Sequence, residues 1–137
     1  MLRAVLIFVT WLAAVVFVPI ETYLTFVGAP YPLPGFGMLS GYAVNVLGVG
    51  FAIWGTLALR PGRIYAEGLL AAGWAWTTAA AWRATNLRYW YAEEIGELDF
   101  GRLELWVAPL FTIVAAAALL ASLVLLAGRG RDPEPRR

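Results

Sequence analysis

The chain has 137 residues, of which 61% are hydrophobic and 14% are charged, and its mean hydropathy is +0.72. A soluble domain contains about half apolar and about a quarter charged residues, so this composition indicates a protein that lies in lipid. Cysteine and histidine are absent, which excludes disulfides, thiolate nucleophiles and iron–sulfur clusters and removes the commonest zinc and haem ligand. The net charge of +1 provides no basic surface for nucleic acid.

Four apolar runs account for the excess of hydrophobic residues, and they cover residues 4–20, 38–59, 64–82 and 105–127. Each is close to the ~20 residues that cross a bilayer core, and a backbone in lipid must satisfy its own hydrogen bonds. The pattern therefore predicts an all-α integral membrane protein with a four-helix transmembrane bundle. The first run is short enough for a signal peptide, but it lacks a clean cleavage site, so we expect it to be retained.

The second predicted helix carries a stripe of small residues around Asn45. Positions 41, 45, 48, 52 and 55 repeat at spacings of four and three, so they share one helix face, and GMLSG at its start is a GxxxG motif. Small residues let helix backbones approach closely in lipid. We predict that helices pack through Gly37, Gly41, Gly48, Ala52 and Gly55. Asn45 would either form a hydrogen bond across that contact or touch a ligand.

The third predicted helix reaches the outer membrane surface near Trp82 and Arg83. Beyond it, apolar residues recur at about helical spacing, namely Leu87, Trp90, Tyr91, Ile95 and Leu98. We predict a short interfacial amphipathic helix over residues 85–98, between spans three and four. Thr85 or Asn86 would cap its start, and Asp99 would cap the fourth membrane helix. The aromatic residues at this level would form an interfacial belt, comprising Trp82, Tyr89, Trp90, Tyr91 and Trp106.

The carboxylates in this region suggest either a cation site or a solvated rim, and they are Glu93, Glu94, Glu97 and Asp99. Hard cations take carboxylate oxygens, but the spacing does not match an EF-hand, and Arg88 and Arg102 partly neutralise the cluster. We favour the solvated rim and expect neither a metal nor a cofactor. Because no matched nucleophile accompanies these acids, the sequence favours a role other than catalysis.

Arginine counts set the expected orientation, since every basic residue is an arginine. In the four-span arrangement, seven arginines fall on one side, and these are Arg3, Arg60, Arg63, Arg129, Arg131, Arg136 and Arg137. Three fall on the other side, and these are Arg83, Arg88 and Arg102. The positive-inside rule then predicts an inner or plasma membrane protein with both termini in the cytoplasm. Residues 1–127 would form one membrane domain, and residues 128–137 a disordered cytoplasmic tail.

Two charged residues are expected at the outer ends of membrane helices. Glu21 follows Pro19 at the end of the first helix, and Arg83 ends the third, so the topology places them at similar depth. Each would either snorkel to water or pair with the other. If both face inward, they would line a small pocket or ion-pair site formed by Glu21, Tyr42, Asn45, Trp76 and Arg83.

The segment VPIETYLTF, residues 18–26, resembles the Pro-x-Glu segment of heterodimeric-type membrane lycopene cyclases. Thr22 stands where that family has a second acid, and no second Pro-x-Glu-Glu segment occurs, so no activity is carried over. The whole chain resembles the small four-helix membrane proteins of the DoxX-like group, through its length, its four apolar runs, SGYAVNVLGVG in the second helix and AAAWRATN in the third. That resemblance implies a membrane bundle and no shared chemistry, and we assign no family.

Three classes of function are compatible with these features. The first is an interaction protein, an accessory subunit of a membrane complex that binds a membrane protein or a second copy of itself. The second is a binding protein for a lipid or an apolar small molecule held between helices. The third is a small oligomeric transporter or channel that uses Glu21 as its intramembrane acid. The glycine stripe and the lack of catalytic residues favour the first class.

Overall fold

The computed structural model describes residues 1–28, 36–59, 65–101 and 104–129, and these form four helices with no strand among them. Helix α1 runs continuously over residues 2–28, and helix α2 over Phe36–Ala58. Helix α3 is the longest, Tyr65–Glu94, and helix α4 covers Glu104–Arg129. The all-α fold predicted from the sequence is confirmed.

Three of these helices are long and apolar enough to cross a membrane, over the segments Leu2–Val27, Leu39–Ala58 and Leu105–Gly128. They correspond to three of the four apolar runs in the sequence. The predicted third span covers residues 64–82, and its described part, residues 65–82, belongs to helix α3, which does not reach the same apolar composition. Its composition follows from its position, because α3 packs against both α2 and α4 and turns small and polar side chains towards them.

Helix α3 contributes much of the buried core. Its buried residues are Ala66, Glu67, Leu70, Ala71, Gly73, Trp74, Thr77, Ala80, Ala81 and Thr85. Trp74 is fully buried and lies in one cluster with Leu6 of α1 and Ala115 of α4. The buried threonines donate their hydroxyl hydrogens to carbonyls four residues earlier, as Thr77 does to Gly73 at 2.8 Å. Such local bonds satisfy polar side chains inside a helix contact without a partner on the neighbouring helix.

Helices α2 and α3 approach each other at glycines. A Cβ atom added to Gly55 would lie 2.7 Å from the backbone nitrogen of Leu70, and one added to Gly48 would lie 2.7 Å from that of Thr77. Gly73 of α3 faces α2 in the same way, since its Cβ would lie 2.8 Å from the Cα of Ala52. Contacts this close are possible only where side chains are absent.

The small residues singled out on α2 therefore have distinct surroundings. Gly48, Ala52 and Gly55 lie against the α3 backbone, and Ala52 is fully buried. Gly41 is half-buried, and its Cβ position lies 3.7 Å from a guanidinium nitrogen of Arg83. Gly37 belongs to the first turn of α2, and its surroundings lie outside the described residues.

Helix α1 keeps one face on the bundle through two π-helical turns, Ala13–Phe17 and Leu24–Gly28. Its buried residues are Leu6, Thr10, Ala13, Phe17, Glu21 and Thr25, so four-residue steps follow one another from Ala13 onwards. In a regular helix of 3.6 residues per turn, three such steps drift by about 120°. The wider π turns take up that drift and keep Glu21 and Thr25 on the buried side.

The first π turn precedes Pro19, which has no N–H to donate within the helix. In that turn the Val18 N–H bonds to the Ala13 carbonyl, five residues earlier. Phe17, the last residue of that turn, stacks on Phe111 of α4 with ring centroids 3.4 Å apart. The π turn and the stacked rings together set the orientation of the following turn, which carries Glu21.

The separate interfacial helix predicted over residues 85–98 is wrong, because α3 continues without a break to Glu94. Thr85 and Asn86 do not cap a helix start; their side chains donate to the carbonyls of Ala81 and Trp82, four residues earlier. The helix ends where Gly96 adopts a positive φ of 71°.

The end of α3 is a Schellman arrangement, in which the Glu97 N–H bonds to the Ala92 carbonyl at 2.9 Å and the Gly96 N–H to the Glu93 carbonyl at 3.1 Å. Asp99 accepts a hydrogen bond from the Gly101 N–H at 2.8 Å, within the turn rather than at the start of α4. At the other end of the chain, α4 extends to Arg129, and the rest of the predicted tail, residues 130–137, lies outside the described residues.

Candidate functional site

A buried charged cluster joins three helices at one end of the bundle. Glu21 of α1 is 1% exposed and receives two hydrogen bonds from other helices. Its Oε1 accepts from Asn45 Nδ2 of α2 at 2.6 Å, and its Oε2 accepts from Arg88 Nη2 of α3 at 2.8 Å. We call Glu21, Asn45 and Arg88 the polar centre.

Each member of the polar centre is placed by the face it occupies on its helix. Glu21 continues the buried stripe of α1, and Asn45 lies on the small-residue stripe of α2. On α3, Arg88 follows Ala81 and Thr85 at spacings of four and three, so it prolongs the helix face that is buried in the core. The three faces converge at this end of the bundle, and their polar residues meet there.

The ion pair of Glu21 differs from the one expected. The sequence pointed to Arg83 because the third helix was expected to end there, whereas the structure pairs Glu21 with Arg88, more than one turn further along α3. Arg83 is two positions beyond the buried Ala81, so it points away from the core and is exposed. Correct placement required knowing that α3 continues to Glu94.

The predicted pocket residues fall into two groups. Asn45 joins Glu21 in the polar centre, and Tyr42 lies beside it, where its hydroxyl is 2.9 Å from the Thr22 hydroxyl of α1. Trp76 and Arg83 lie instead on the exposed face of α3 that borders α2. Trp76 donates from its indole nitrogen to the Val44 carbonyl of α2 at 2.9 Å. Glu21 and Asn45 are thus buried together, whereas Trp76 and Arg83 are exposed.

Two residues of this region, Arg88 and Thr22, were not predicted from the sequence to lie beside Glu21. Arg88 would have been found by extending the spacing 70, 74, 77, 81, 85 and 88 along α3 as one uninterrupted helix. Thr22 carries no such signal, since its contact with Tyr42 depends on how the π turns orient α1. Tyr42 also meets Phe26 edge-on, with ring centroids 5.2 Å apart, so a small aromatic contact flanks the polar centre.

Burial makes the polar centre energetically sensitive. The side chains of Glu21 and Arg88 are 2% and 12% exposed, and a buried charge is costly unless it is paired and hydrogen-bonded. Removing one partner of such a pair costs about 3–5 kcal/mol because the other charge is left alone. The orientation of the Asn45 amide follows from its partner, since an ionised carboxylate only accepts hydrogen bonds. Its Oδ1 has no hydrogen-bond partner within the described part of the chain.

The polar centre holds charges together and offers no open carboxylate. Both Glu21 oxygens are occupied by donors from neighbouring helices. The acids proposed as a rim, Glu93, Glu94, Glu97 and Asp99, are all exposed. Among the residues that the structure describes, no group of three or more acidic side chains is arranged to hold a metal ion.

Comparison with known proteins assigns no family: no family model matches the chain, and no significant similarity to a curated protein or a solved structure was found.

Proposed function

We propose that this is a four-span plasma membrane protein with both termini in the cytoplasm, and that it acts as an accessory subunit that binds another membrane protein. The single observation that supports this role is a contrast in chemistry between the inside of the bundle, where polar groups are paired, and its outside, which is apolar. Inside, the Glu21 carboxylate is fully engaged by its neighbours. Outside, large apolar side chains cover α1 and α4, including Phe8 and Val15 on α1 and Ile113 and Leu120 on α4.

The positions of charged residues on α3 support it as the fourth span. Glu67 and Arg88 are charged residues near opposite ends of the helix; Glu67 is buried, and the Arg88 side chain is 12% exposed. A separation of 21 positions corresponds to about 31 Å at 1.5 Å per residue. This is about the thickness of the bilayer hydrocarbon, so these charges would mark its two boundaries. Arg83 is the one charged residue between them.

Aromatic residues near the polar centre support an interface at the same level. Trp82, Trp90 and Trp106 are all about half-exposed or more, and Tyr89 and Trp106 donate to backbone carbonyls close to the turn between α3 and α4. Amphipathic rings of this kind concentrate at membrane–water boundaries. They would form the outer belt, with the polar centre just beneath it.

A transport role for Glu21 receives less support than an accessory role. An acid that carries protons or cations must exchange them with water, whereas Glu21 is 1% exposed and held by an arginine and an asparagine. Binding of a lipid is the second candidate, and the exposed pair of Trp76 and Arg83 on one face of α3 favours it.

The accessory role is tested by native mass spectrometry on protein extracted gently from its own membranes. We expect a second protein at fixed stoichiometry with the wild type. Replacing Phe8 and Val15 with alanine tests α1 as the contact face, and replacing Ile113 and Leu120 with alanine tests α4. Whichever pair lies in the contact should cause loss of the second protein when it is replaced. Both pairs are exposed, so the variants should keep the wild-type helical content. A bare monomer, or a partner whose retention neither pair alters, would contradict the accessory role.

A further inference from the structure

We propose that the groove between α2 and α3 at Arg83 binds one anionic phospholipid, with the phosphate on the Arg83 guanidinium and an acyl chain along Trp76 and Phe51. This site is separate from the polar centre, although it rests on the membrane insertion proposed above. It would make a specific lipid part of the functional protein.

Arg83 is an exposed cation available to an anion. Within the described ranges of the chain, no hydrogen bond or ion pair of its side chain is seen, in contrast to Arg88 on the same helix. Its guanidinium lies beside α2, where one nitrogen is 3.7 Å from the Cβ position of Gly41. The absence of a side chain at Gly41 leaves room at the groove for both the guanidinium and a ligand.

The residues around Arg83 are arranged along the axis of α3 in the order that a lipid headgroup and acyl chain would require. Trp76, Arg83 and Trp90 are spaced seven apart, so they follow one exposed stripe of α3. Trp90 lies nearest the turn after α3, Arg83 comes next, and Trp76 is about 10 Å deeper at 1.5 Å per residue. In the proposed topology a cation therefore lies near the membrane boundary, with aromatic rings above and below it.

The deeper part of the groove is apolar and fixed in position. The hydrogen bond from Trp76 to the Val44 carbonyl holds its indole against α2, although the residue is 45% exposed. Phe51 of α2 lies next to it, with ring centroids 6.4 Å apart. In the proposed site, an acyl chain descending from Arg83 lies along these two rings.

The charges of the region favour an anionic headgroup over a zwitterionic one. Guanidinium groups bind phosphate oxygens through charge-assisted, often bidentate hydrogen bonds. Glu21, the acid of the polar centre, is buried and has both oxygens occupied, so it offers no carboxylate to an ammonium group.

The test measures lipid retention in native mass spectra of the purified full chain, with dioleoyl phosphatidylglycerol or dioleoyl phosphatidylcholine added at equal concentration. We expect wild type to retain one phosphatidylglycerol in preference to phosphatidylcholine. Arg83→Gln should lower the apparent affinity about tenfold, the effect of losing one charge-assisted hydrogen bond. The matched control Arg131→Gln removes the same charge from the terminal segment and should retain the lipid.

Two further variants separate the space beside Arg83 from the acyl-chain contact at Trp76. Gly41→Leu keeps every charge but fills the space beside Arg83, so it should also lose the lipid. Trp76→Leu should weaken retention of phosphatidylglycerol without changing the preference over phosphatidylcholine. Equal retention of the two lipids by wild type, unchanged retention in Arg83→Gln, or displacement of the lipid by an equal concentration of glycerol 3-phosphate would each overturn the proposal.

Carbonate washing of membranes separates this outcome from a failure of membrane insertion. Protein that stays in the washed membrane but retains no lipid overturns the lipid site alone. Protein released by carbonate overturns the four-span arrangement, and with it the site.

Discussion

Helices α2 and α3 meet through glycines, whereas the C-terminal half of α1 is held to the bundle by side chains that carry charge. In the first contact, backbones approach so closely that a Cβ at Gly48 or Gly73 would collide with the facing helix. In the second, Glu21 accepts hydrogen bonds from Asn45 and Arg88. A glycine contact fails when atoms are added, and a buried ion pair fails when a charge is removed.

The glycine contact should give the largest effect. Gly48→Leu would place a side chain into the Thr77 backbone, which neither helix can avoid without separating, so we expect loss of the folded monomer. The control is Gly50→Leu, since Gly50 has no neighbour within 4 Å of its Cβ position. Size-exclusion chromatography in mild detergent distinguishes the two, and equal profiles would show that α2 and α3 are not in close contact.

The ion pair should give the next largest effect. Arg88→Leu leaves the Glu21 charge buried without its cation and should lower the free energy of unfolding by about 3–5 kcal/mol. Arg83→Leu removes the same kind of side chain from an exposed position and should lower it by less than about 1 kcal/mol. Thermal unfolding in one detergent measures both variants. Equal losses would mean that the structure assigns the wrong arginine to Glu21.

Substitution of the acid by its amide should have a smaller effect than loss of Arg88. Glu21→Gln keeps the shape and one acceptor oxygen, but leaves the Arg88 charge without the Glu21 carboxylate, in a site where its side chain is 12% exposed and can extend towards water. We expect a loss of about 1–3 kcal/mol in the same unfolding assay. A larger loss than that of Arg88→Leu would indicate that the carboxylate has a further partner.

The hydroxyl contact beside the polar centre should give the smallest effect. Tyr42→Phe removes the hydrogen bond to Thr22 while keeping the ring against Phe26, and should cost about 0.5–1.5 kcal/mol. Thr22→Val should cost a similar amount, and the double variant should cost little more than either one. Full additivity of the two losses would show that the hydroxyls do not interact.

The sequence allowed the apolar helices to be predicted because hydropathy depends only on composition along the chain. It did not reveal that α3 passes through the expected boundary at Trp82 and continues to Glu94, since Arg83 and Asn86 read as the end of a membrane span. For the same reason, the predicted partner of Glu21 was Arg83 rather than Arg88. The residue pattern of α3 alone could not decide between the two arginines, because the buried face of α3 is defined by the helices packed around it.

Glu21 illustrates a different limit of sequence reasoning. Its position after Pro19 indicated the end of a helix, yet the chain continues as helix to residue 28 through two π turns. The π turns cannot be predicted from the spacing of hydrophobic residues. Spacings of four residues between buried positions also occur at the edge of an ordinary amphipathic helix face. Asn45 was easier to place, because its stripe of small neighbours indicated a buried helix contact.

The most direct test of the central claim, that the Glu21–Arg88 pair fastens α1 to the rest of the bundle, is a double-mutant cycle with Glu21→Gln and Arg88→Leu in detergent. The cycle should show a coupling free energy of about 1–3 kcal/mol, with the double variant more stable than the sum of the single losses implies. The parallel cycle with Arg83→Leu should show a coupling close to zero. Coupling to Arg83 together with additivity at Arg88 would contradict the structure's assignment of the polar centre.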